Sequence, residues 1–485
     1  MLKKIFYILL VVAILMFMFG ASMYFWFQSG GMQEYVLENY GKQTIQNDYL
    51  YEIICDSLGF QEEKHILLLF LNNTELRPGG GFIGSYDVIS TQNGTPHLLK
   101  VEGTEIIDNY AASYLESVPP RPLKDYLGVE KWFFRDSNWS PDFEESAKKS
   151  LELYIKEKGV AADKIDYVLG LTPTVIREIL KITGPIKVGE MEFNAENFIE
   201  KLQWEVEYGY AKKGVSFDER KKTLQDLTKA VLFNFGRDFL KYNEEFMNLA
   251  KRMLSEKQII VYAIDEKIQD LIKNGDWSGR MYQTNGDFLL WADANLGALK
   301  TDLVMERNLS YTIIPTSSNQ YFVRATMKYV HKGEFDWRTT RYRTYTRIFV
   351  PQGSKLIGVK GAMFKEKSLE PAIIEEGLEK DKQWFGTFIA IEPGKTGELT
   401  FEFYLSPKIN SLIKEGKYEL LVQKQLGTES HGLTLNLDFG KKVFGLSLLV
   451  MCASLFISLW EVLISTKALN LELSDMHDKC KVGKK

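Results

Sequence analysis

The sequence predicts an α/β layered domain followed by an antiparallel β-sandwich, both outside the cytoplasm and flanked by two transmembrane helices. Three observations predict this arrangement. Uncharged apolar runs lie near both ends of the chain, strand and helix patterns alternate from residue 65 to about residue 300, and a period-two pattern follows Glu306. The predicted units are an N-terminal transmembrane anchor, a helical connection, the α/β domain, the β-sandwich, a C-terminal transmembrane helix and a cytoplasmic tail, over residues 1–28, 29–64, 65–303, 304–440, 443–465 and 466–485.

The composition excludes several classes of protein. The chain has 485 residues, of which 45% are hydrophobic and 26% charged, so it is too apolar for a disordered protein. The net charge of −4 argues against a protein that coats nucleic acid, and no nucleic-acid partner is expected. Three scattered cysteines, Cys55, Cys452 and Cys480, provide neither a disulfide framework nor a cysteine-based zinc site.

The first apolar run, residues 5–27, carries no charge and is long enough to cross a bilayer. Lys3 and Lys4 precede it, and no lysine or arginine follows until Lys42, so the positive-inside rule places the N-terminus in the cytoplasm. The alternative is a cleaved signal peptide, whose apolar region is normally shorter.

The second apolar run, residues 443–460, continues past Glu461 to Ile464. The alternative to a membrane span is a buried core helix, since the run has no polar face. With the first segment crossing outwards, the second brings the chain back, so residues 28–442 are expected outside and both termini in the cytoplasm. The sequence therefore predicts a two-pass protein of the plasma membrane, with the lipid bilayer as a partner.

The α/β domain is predicted from strands that alternate with helices. The run at 65–71 is continuously apolar between polar residues, which is typical of a strand buried on both faces. Residues 31–64 before it are expected to form a short helical stalk or lid, and amphipathic stripes predict helices at 198–206 and 224–235. The other expected elements are strands at 82–90, 98–101, 166–171, 259–263 and 288–292, and helices at 144–158, 174–180 and 266–273.

The β-sandwich is predicted from the change of hydrophobic period after Glu306. Apolar and polar residues then alternate, as along 321–329, which indicates a sheet with one buried face. About seven strands fit this stretch, the number found in many sandwiches. They are expected at 308–314, 321–329, 345–350, 385–391, 398–404, 418–425 and 433–438.

A glycine-rich segment, Gly79-Gly80-Gly81-Phe82-Ile83-Gly84, has the spacing of a dinucleotide-binding loop. It leads into a β-like segment, so no helix N-terminus is available for a pyrophosphate, and a bend at the end of a buried strand is predicted instead. Arg77 beside it could still form a phosphate cradle with exposed backbone amides. The sequence has no recognisable motif for a covalent nucleophile.

Residues 135–143 are the densest polar segment of the chain. The carboxylates of Asp136 and Asp142 and the guanidinium of Arg135 could hold a hydrated divalent cation and a phosphate. The alternative is a helix start that is capped by Ser140 or Asp142.

Two further charged segments have similar alternatives. Asp218 and Arg220 open the helix expected at 224–235, where the alternative is an acidic helix N-terminus followed by a solvated basic face. Arg341, Arg343 and Arg347 alternate along one strand and could meet an anionic polymer or lipid head groups, the alternative being a solvated sheet face.

Several segments resemble the bacterial family called domain of unknown function 4012. The residues that carry this resemblance are Leu69-Phe70-Leu71-Asn72-Asn73-Thr74-Glu75-Leu76-Arg77-Pro78-Gly79-Gly80-Gly81-Phe82-Ile83-Gly84-Ser85-Tyr86, Asp136-Ser137-Asn138-Trp139-Ser140-Pro141-Asp142-Phe143, Asp287-Phe288, Asp293-Ala294-Asn295-Leu296-Gly297, Lys300, Glu219-Arg220-Lys221-Lys222 and Val422-Gln423-Lys424-Gln425. The resemblance spans about residues 64–437. It implies a bacterial, membrane-anchored protein of unsettled function.

Residues 165–171 and 179–188 more distantly resemble LytR-CpsA-Psr transferases, in which a strand and a helix lead to a glycine-rich turn. The resemblance implies a LytR-CpsA-Psr-like layered domain outside the cell. Enzymes of that family move glycopolymers from a polyprenyl pyrophosphate carrier onto peptidoglycan, with arginines on the pyrophosphate and acidic residues on Mg²⁺.

The same resemblance assigns positions within the site. Arg77 and Asp87 fall near the family's first arginine and aspartate, and Asp218 and Arg220 fall at its Asp-x-x-Arg helix start. The family's Arg-x-Arg pair before that helix is absent from this sequence, and Tyr208 lies in the stretch where it is expected. An arginine-poor site would hold a pyrophosphate less well.

Two hypotheses about function follow. In the first, an envelope protein binds a lipid-linked or phosphate-bearing glycopolymer without efficient catalysis. In the second, an Mg²⁺-dependent transferase moves a glycopolymer from a polyprenyl pyrophosphate carrier to the cell wall. Its catalytic residues would be Arg77, Asp87, Arg135 and Arg220, and its Mg²⁺ ligands would be Asp136, Asp142 and Asp218. Catalysis requires these side chains to meet in one cleft, which distinguishes the two hypotheses.

Overall fold

The computed structural model describes residues 48–209, 241–366, 368–429, 431–440, 445–452, 455–458 and 468–473, together with residues 230, 234 and 238. Within these residues the protein is an α/β structure with mixed sheets, as the alternation of strand and helix patterns predicts. One unit is built on a five-stranded sheet with helices on its faces, and the second is built on two larger sheets.

The first unit contains the strands β1 (Lys64–Asn72), β2 (Phe82–Gln92), β3 (Thr95–Gly103), β4 (Tyr167–Leu171), β5 (Ile186–Val188), β6 (Met191–Phe193) and β7 (Ile259–Ala263). Its helices are α1 (Asp48–Ser57), α2 (Thr104–Ala111), α3 (Arg121–Leu127), α4 (Phe143–Lys156), α5 (Pro173–Thr183), α6 (Phe198–Trp204), α7 (Asn243–Ser255) and α8 (Glu266–Asn274). The sheet order is β3-β2-β1-β4-β7, and β5 and β6 form a separate hairpin. A π-helical turn, Glu205–Gly209, continues α6.

The central strand β1 is buried on both faces, as its continuous apolar run predicts. Ile66 and Leu68 lie in one hydrophobic core, whereas Leu67 and Leu69 lie in the core on the opposite face. The strand pairs in antiparallel fashion with β2 and in parallel with β4, so its backbone groups are satisfied on both sides.

Helix α1 is part of the first core. Ile53, Ile54 and Leu58 are all buried against the sheet and its helices. The expectation of a stalk or lid at 31–64 is therefore wrong for this helix, because its apolar face is covered by the domain itself.

The second unit contains the strands β8 (Asp287–Asn295), β9 (Met305–Pro315), β10 (Tyr321–His331), β11 (Tyr342–Pro351), β12 (Lys355–Lys360), β13 (Glu375–Glu379), β14 (Lys382–Ile391), β15 (Thr396–Tyr404), β16 (Lys417–Gln423), β17 (Gly432–Asp438), β18 (Gly445–Cys452), β19 (Leu455–Ser458) and β20 (Ala468–Leu473), with the helix α9 (Pro407–Lys414). The sheet orders are β12-β15-β10-β9-β17-β20 and β13-β14-β11-β8-β16-β18-β19. The two sheets share one core, in which the ring centroids of Trp291 and Phe401 lie 5.5 Å apart.

Both sheets are mixed rather than purely antiparallel. Strand β16 runs parallel to β8 and β18, and β17 runs parallel to β9. Alternating apolar residues indicate which face of a strand is buried, but they carry no information on strand direction.

Strand β8 belongs to the larger sheet of the second unit, between β11 and β16, and not to the end of the first unit. Every residue of β8 is buried, so it has the same apolar appearance in either unit. The sheet boundary therefore precedes Asp287.

The prediction of two transmembrane helices requires correction. Residues 445–452 and 455–458, within the second apolar run, form strands β18 and β19, and β18 pairs with β16. Residues 468–473, expected in a cytoplasmic tail, form β20 beside β17. In the described ranges the structure contains no helix that is both long enough and apolar enough to cross a membrane.

The predictions of a two-pass topology, of cytoplasmic termini and of a plasma-membrane location were therefore wrong. The first apolar run lies outside the described residues. An uncharged apolar run has the same composition in a membrane span and in a buried strand, so length alone misled the assignment.

Candidate functional site

Arg77, the first expected phosphate ligand, is buried and forms an ion pair. Its Nε and Nη2 donate to Oδ1 of Asp136 at 3.1 and 2.9 Å, and its Nη1 donates to the carbonyl oxygens of Leu76 and Asn295. The side chain is 2% exposed. Because four N–H donations are made inside the protein, the guanidinium is poorly placed to clamp a ligand phosphate.

The ion pair belongs to a network that joins the two units. The Gln425 side chain donates to the carbonyls of Arg77 and Asp293, at 3.2 and 2.8 Å, and Leu76 N donates to the Asp302 carboxylate at 2.9 Å. Arg77, Asp293 and Gln425 are among the residues that carry the family resemblance. Their contacts show that these motif residues brace the first unit against β8 and its neighbours.

The glycine run also has a structural role. Gly81 has a φ of +152°, and a Cβ there would lie 2.6 Å from the backbone of Asn72. The Asn138 side chain donates to the Gly81 carbonyl at 2.6 Å. The bend predicted at the end of the buried strand is confirmed, because only glycine tolerates this conformation and this close approach.

Arg135 lies in a second group, which the sequence did not reveal. Its Nε donates to the carboxylate of Asp108, which is fully buried. Asp108 Oδ1 and Glu157 Oε2 are buried without a hydrogen-bond partner in the described chain, and each carboxyl affects the pKa of the other. The Glu157 Oε1 accepts a hydrogen bond from the backbone N–H of Phe134 at 2.8 Å.

Burial sets the protonation of this carboxyl pair. Desolvation raises the pKa of Asp108 to about 6 against the opposing effect of Arg135, and desolvation together with the Asp108 charge raises the pKa of Glu157 to about 9. The pair therefore holds a proton at neutral pH. Asp108 lies on α2 and Glu157 directly follows α4, far away in sequence, so no local motif marks them.

Asp142 caps helix α4, the alternative that was weighed for this segment. Its Oδ1 accepts from the N–H of Glu145 at 3.2 Å, and its Oδ2 accepts from the N–H of Met281 at 2.9 Å. Burial nevertheless raises the pKa of Asp142. Ser140 supports the same turn, because its Oγ accepts from the N–H of Asp142 and donates to Glu379.

Asp87 is isolated from the other expected site residues. It is 3% exposed, pairs in register with Leu68 and has one carboxylate oxygen without a hydrogen-bond partner in the described chain. Desolvation raises its pKa well above the usual range. Asp218 and Arg220 lie outside the described residues.

The described residues do not fit a Mg²⁺ site. No cluster of three histidine, cysteine, aspartate or glutamate side chains that could hold a metal occurs among them. Asp136 is committed to Arg77 and Asp142 to two backbone amides, so the two predicted ligands have separate structural partners.

The basic stripe on β11 is neutralised. Arg341 donates to Glu392 at 2.6 Å, and Arg347 donates to Glu379 at 3.2 Å. Arg343 forms an ion pair with Glu366 at 2.5 Å. The stripe is neither a free anion-binding surface nor a simple solvated face, since Arg347 is buried over the ring of Trp139.

A cluster of half-exposed rings lies where α6 meets the loop between β10 and β11. We refer to Trp204, Tyr208 and Trp337 as the aromatic cluster. The ring centroids of Trp204 lie 5.4 Å from Tyr208 and 5.1 Å from Trp337, and those of Tyr208 and Trp337 lie 5.5 Å apart. Tyr208 is 43% exposed, and the neighbouring Phe335 is 62% exposed.

Local helix geometry explains how the first two rings meet. Trp204 and Tyr208 are four residues apart, and the π-helical turn Glu205–Gly209 joins them. Side chains at this spacing lie on one face of a helix, and π-helical turns are frequent at functional sites. Trp337 completes the cluster from the second unit, so the site exists only where the two units meet.

Polar groups surround the aromatic cluster. Arg338 lies 3.7 Å from the Glu200 carboxylate, and its carbonyl accepts from the N–H of Lys300 at 2.9 Å. Lys300 Nζ lies 2.6 Å from Glu75 Oε2. The Gln203 side chain donates to Thr74 Oγ1 at 2.8 Å. Of the described residues, Arg338 and Lys300 thus each have a carboxylate partner.

Sequence patterns missed the aromatic cluster. Trp204 lies within the helix predicted at 198–206, Tyr208 lies where an arginine pair is expected, and Trp337 lies far along the chain. The one usable signal was the resemblance itself, because Thr74, Glu75 and Lys300 belong to its motifs and lie on the rim of the cluster.

Residues 61–206 match the family model described as "Protein of unknown function (DUF4012)", which confirms the resemblance to that family. Over these residues the chain is similar to that family. The matched segment includes Arg77, Asp136 and α6 and ends within the π-helical turn. No curated protein matches the chain. The resemblance to LytR-CpsA-Psr transferases stays a prediction.

Proposed function

We propose that this chain binds a glycan on the aromatic cluster and does not transfer it. The observation that carries the proposal is the group of three mutually contacting rings, partly exposed and rimmed by polar side chains. The C–H faces of a pyranose ring are apolar and pack on aromatic rings, whereas its hydroxyls need polar partners at the edge.

The charge of the rim favours a neutral glycan over a polyanion. Arg338 and Lys300 are matched by Glu200 and Glu75, so little positive potential remains for a phosphate-bearing polymer. This narrows the first hypothesis drawn from the sequence, which allowed a phosphate-bearing ligand.

The placement of the expected catalytic residues favours binding over transfer. Arg77 donates to protein acceptors, Arg135 is paired with Asp108, and Asp87 is buried. A pyrophosphate clamp needs guanidinium N–H groups that face the ligand. Arg77 directs its N–H groups at acceptors of the protein, and Arg135 directs its Nε at Asp108.

The proposal is tested by isothermal titration calorimetry of the full chain with two β-1,4-linked hexaoses, cellohexaose and chitohexaose. The chain is expected to bind at least one of them, and Trp337→Ala is expected to weaken that binding at least about tenfold, as for a central aromatic contact. Tyr110→Ala is the matched control, because Tyr110 is 77% exposed and lies outside the cluster. Absence of binding to both hexaoses, or equal binding by Trp337→Ala, would contradict the proposal.

A further inference from the structure

Two buried polar atoms beside the aromatic cluster lack hydrogen-bond partners in the described part of the chain. They are Nε of Arg338, a donor, and Oε1 of Gln203, an acceptor. Gln203 directly precedes Trp204, and the Arg338 guanidinium lies 5.7 Å from the ring centroid of Trp337. Gln203 belongs to the first unit and Arg338 to the second, and each is next in sequence to a ring of the cluster.

The orientation of the Gln203 amide follows from its neighbours. Thr74 Oγ1 donates to Asn72 Oδ1 at 2.8 Å, so it accepts from Gln203 Nε2. The amide nitrogen must then face Thr74, which leaves the carbonyl oxygen as the unpaired atom. The unpaired acceptor is thus fixed by the hydrogen-bond network and does not depend on an arbitrary choice of amide flip.

Arg338 is held in place in the same way. Its side chain faces the Glu200 carboxylate at 3.7 Å, and its backbone N–H donates to Asp336 Oδ1 at 2.7 Å. On α6, Gln203 and Trp204 follow Glu200 by three and four residues. The three side chains therefore share the face of the helix that meets the 332–341 loop. A buried donor and a buried acceptor without partners are costly, and such a pair is normally satisfied by water or a ligand.

Resting on the proposed function, we propose that the cluster recognises 2-acetamido sugars. A secondary amide presents a carbonyl acceptor and an N–H donor on opposite sides of one plane, which complements Arg338 Nε and Gln203 Oε1. The acetamido methyl group is apolar and suits the neighbouring rings. A 2-hydroxyl group carries its donor and acceptor on one atom and has no methyl group, so it fills this pattern less completely.

The test compares chitohexaose with cellohexaose, which share length and linkage and differ at C2. The full chain is expected to bind chitohexaose at least about tenfold more tightly. Arg338→Lys keeps the charge opposite Glu200 but lacks Nε, and Gln203→Met keeps the length of the side chain but lacks the acceptor. Each variant is expected to lose most of the preference, measured as the ratio of its affinities for the two hexaoses.

The outcomes separate this inference from the proposed function. Equal binding of both hexaoses by the wild-type chain would overturn the acetamido assignment and leave glycan binding intact. A preference that persists in both variants would overturn the assignment to Arg338 and Gln203. Failure of the wild-type chain to bind either hexaose would overturn both proposals.

Discussion

The network around Arg77 and the aromatic cluster both join the two units, but they differ in their access to solvent. Arg77 is 2% exposed and donates only to groups of the protein itself, whereas Tyr208 is 43% exposed. The network around Arg77 contains several residues that carry the family resemblance. The three rings of the aromatic cluster are not among those residues. A specific sequence motif can therefore mark residues that hold two structural units together. The proposed ligand surface lies beside them and is formed by residues that are far apart in the sequence.

The largest expected effect is the loss of the buried ion pair. Arg77→Ala leaves Asp136 buried without its cation, and we expect the free energy of unfolding to fall by about 3–5 kcal/mol. Urea unfolding followed by circular dichroism measures this. Arg324→Ala is the matched control, because that arginine is 46% exposed in its pair with Glu402 and should change stability by less than about 1 kcal/mol. If Arg77→Ala is as stable as the wild type but no longer binds the hexaose, the region around Arg77 would be the binding site and the account would be contradicted.

The second-largest effect is expected from the carboxyl pair of Asp108 and Glu157, which should make the stability of the protein depend on pH. Glu157 has a folded pKa of about 9, raised above its usual value, so the folded state binds more protons than the unfolded state between about pH 4.5 and 9. Stability should therefore be fully present below this window and fall as the pH rises through it. The urea midpoint should be lower at pH 9 than at pH 6.

Glu157→Gln provides the control for this pH dependence. The neutral amide can still accept from the N–H of Phe134 and can donate to Asp108, without a proton to lose. The urea midpoint of this variant should change less between pH 6 and pH 9. If the difference between the urea midpoints at pH 6 and pH 9 is the same in Glu157→Gln as in the wild type, other groups cause the pH dependence.

The aromatic cluster should affect binding more than stability. Trp204→Ala removes a half-buried ring from the platform, and hexaose affinity should fall about tenfold, or about 1.4 kcal/mol. Its loss of unfolding free energy should be smaller than that of Arg77→Ala, measured by the same urea titration. A larger stability loss with unchanged affinity would make the cluster a structural contact only.

The smallest effect is expected on the basic stripe of β11. Arg341 forms a partly exposed pair with Glu392, so Arg341→Ala should change stability by less than about 1 kcal/mol and leave hexaose binding unchanged. Isothermal titration calorimetry with the hexaose that binds the wild-type chain measures the binding, and urea unfolding measures the stability. Weakened binding by this variant would place the ligand on the stripe and away from the aromatic cluster.

Local signals in the sequence predicted the parts of the fold that depend on neighbouring residues. The doubly buried β1, the glycine bend and the Asp142 cap each follow from side-chain pattern or backbone sterics within a few residues. The strand identity of residues 445–452 did not, because an apolar run does not reveal whether lipid or protein will cover it.

The candidate site was less predictable than the fold. Arg77 was predicted to bind phosphate, but its sequence neighbours could not show that Asp136 and Asn295 would occupy its donors. Trp204 and Trp337 meet only because α6 and the β10–β11 loop pack together. Such contacts depend on the relative placement of two units, which no local pattern encodes.

The central claim is that ligand binds at the aromatic cluster and not at the Arg77 motif. Hydrogen–deuterium exchange of the full chain, with and without the hexaose that binds it, tests this directly. We predict slower exchange on ligand addition in peptides that cover residues 198–209 and 332–341, with no change in those covering 76–82 and 134–143. Protection confined to the latter two segments would contradict the account.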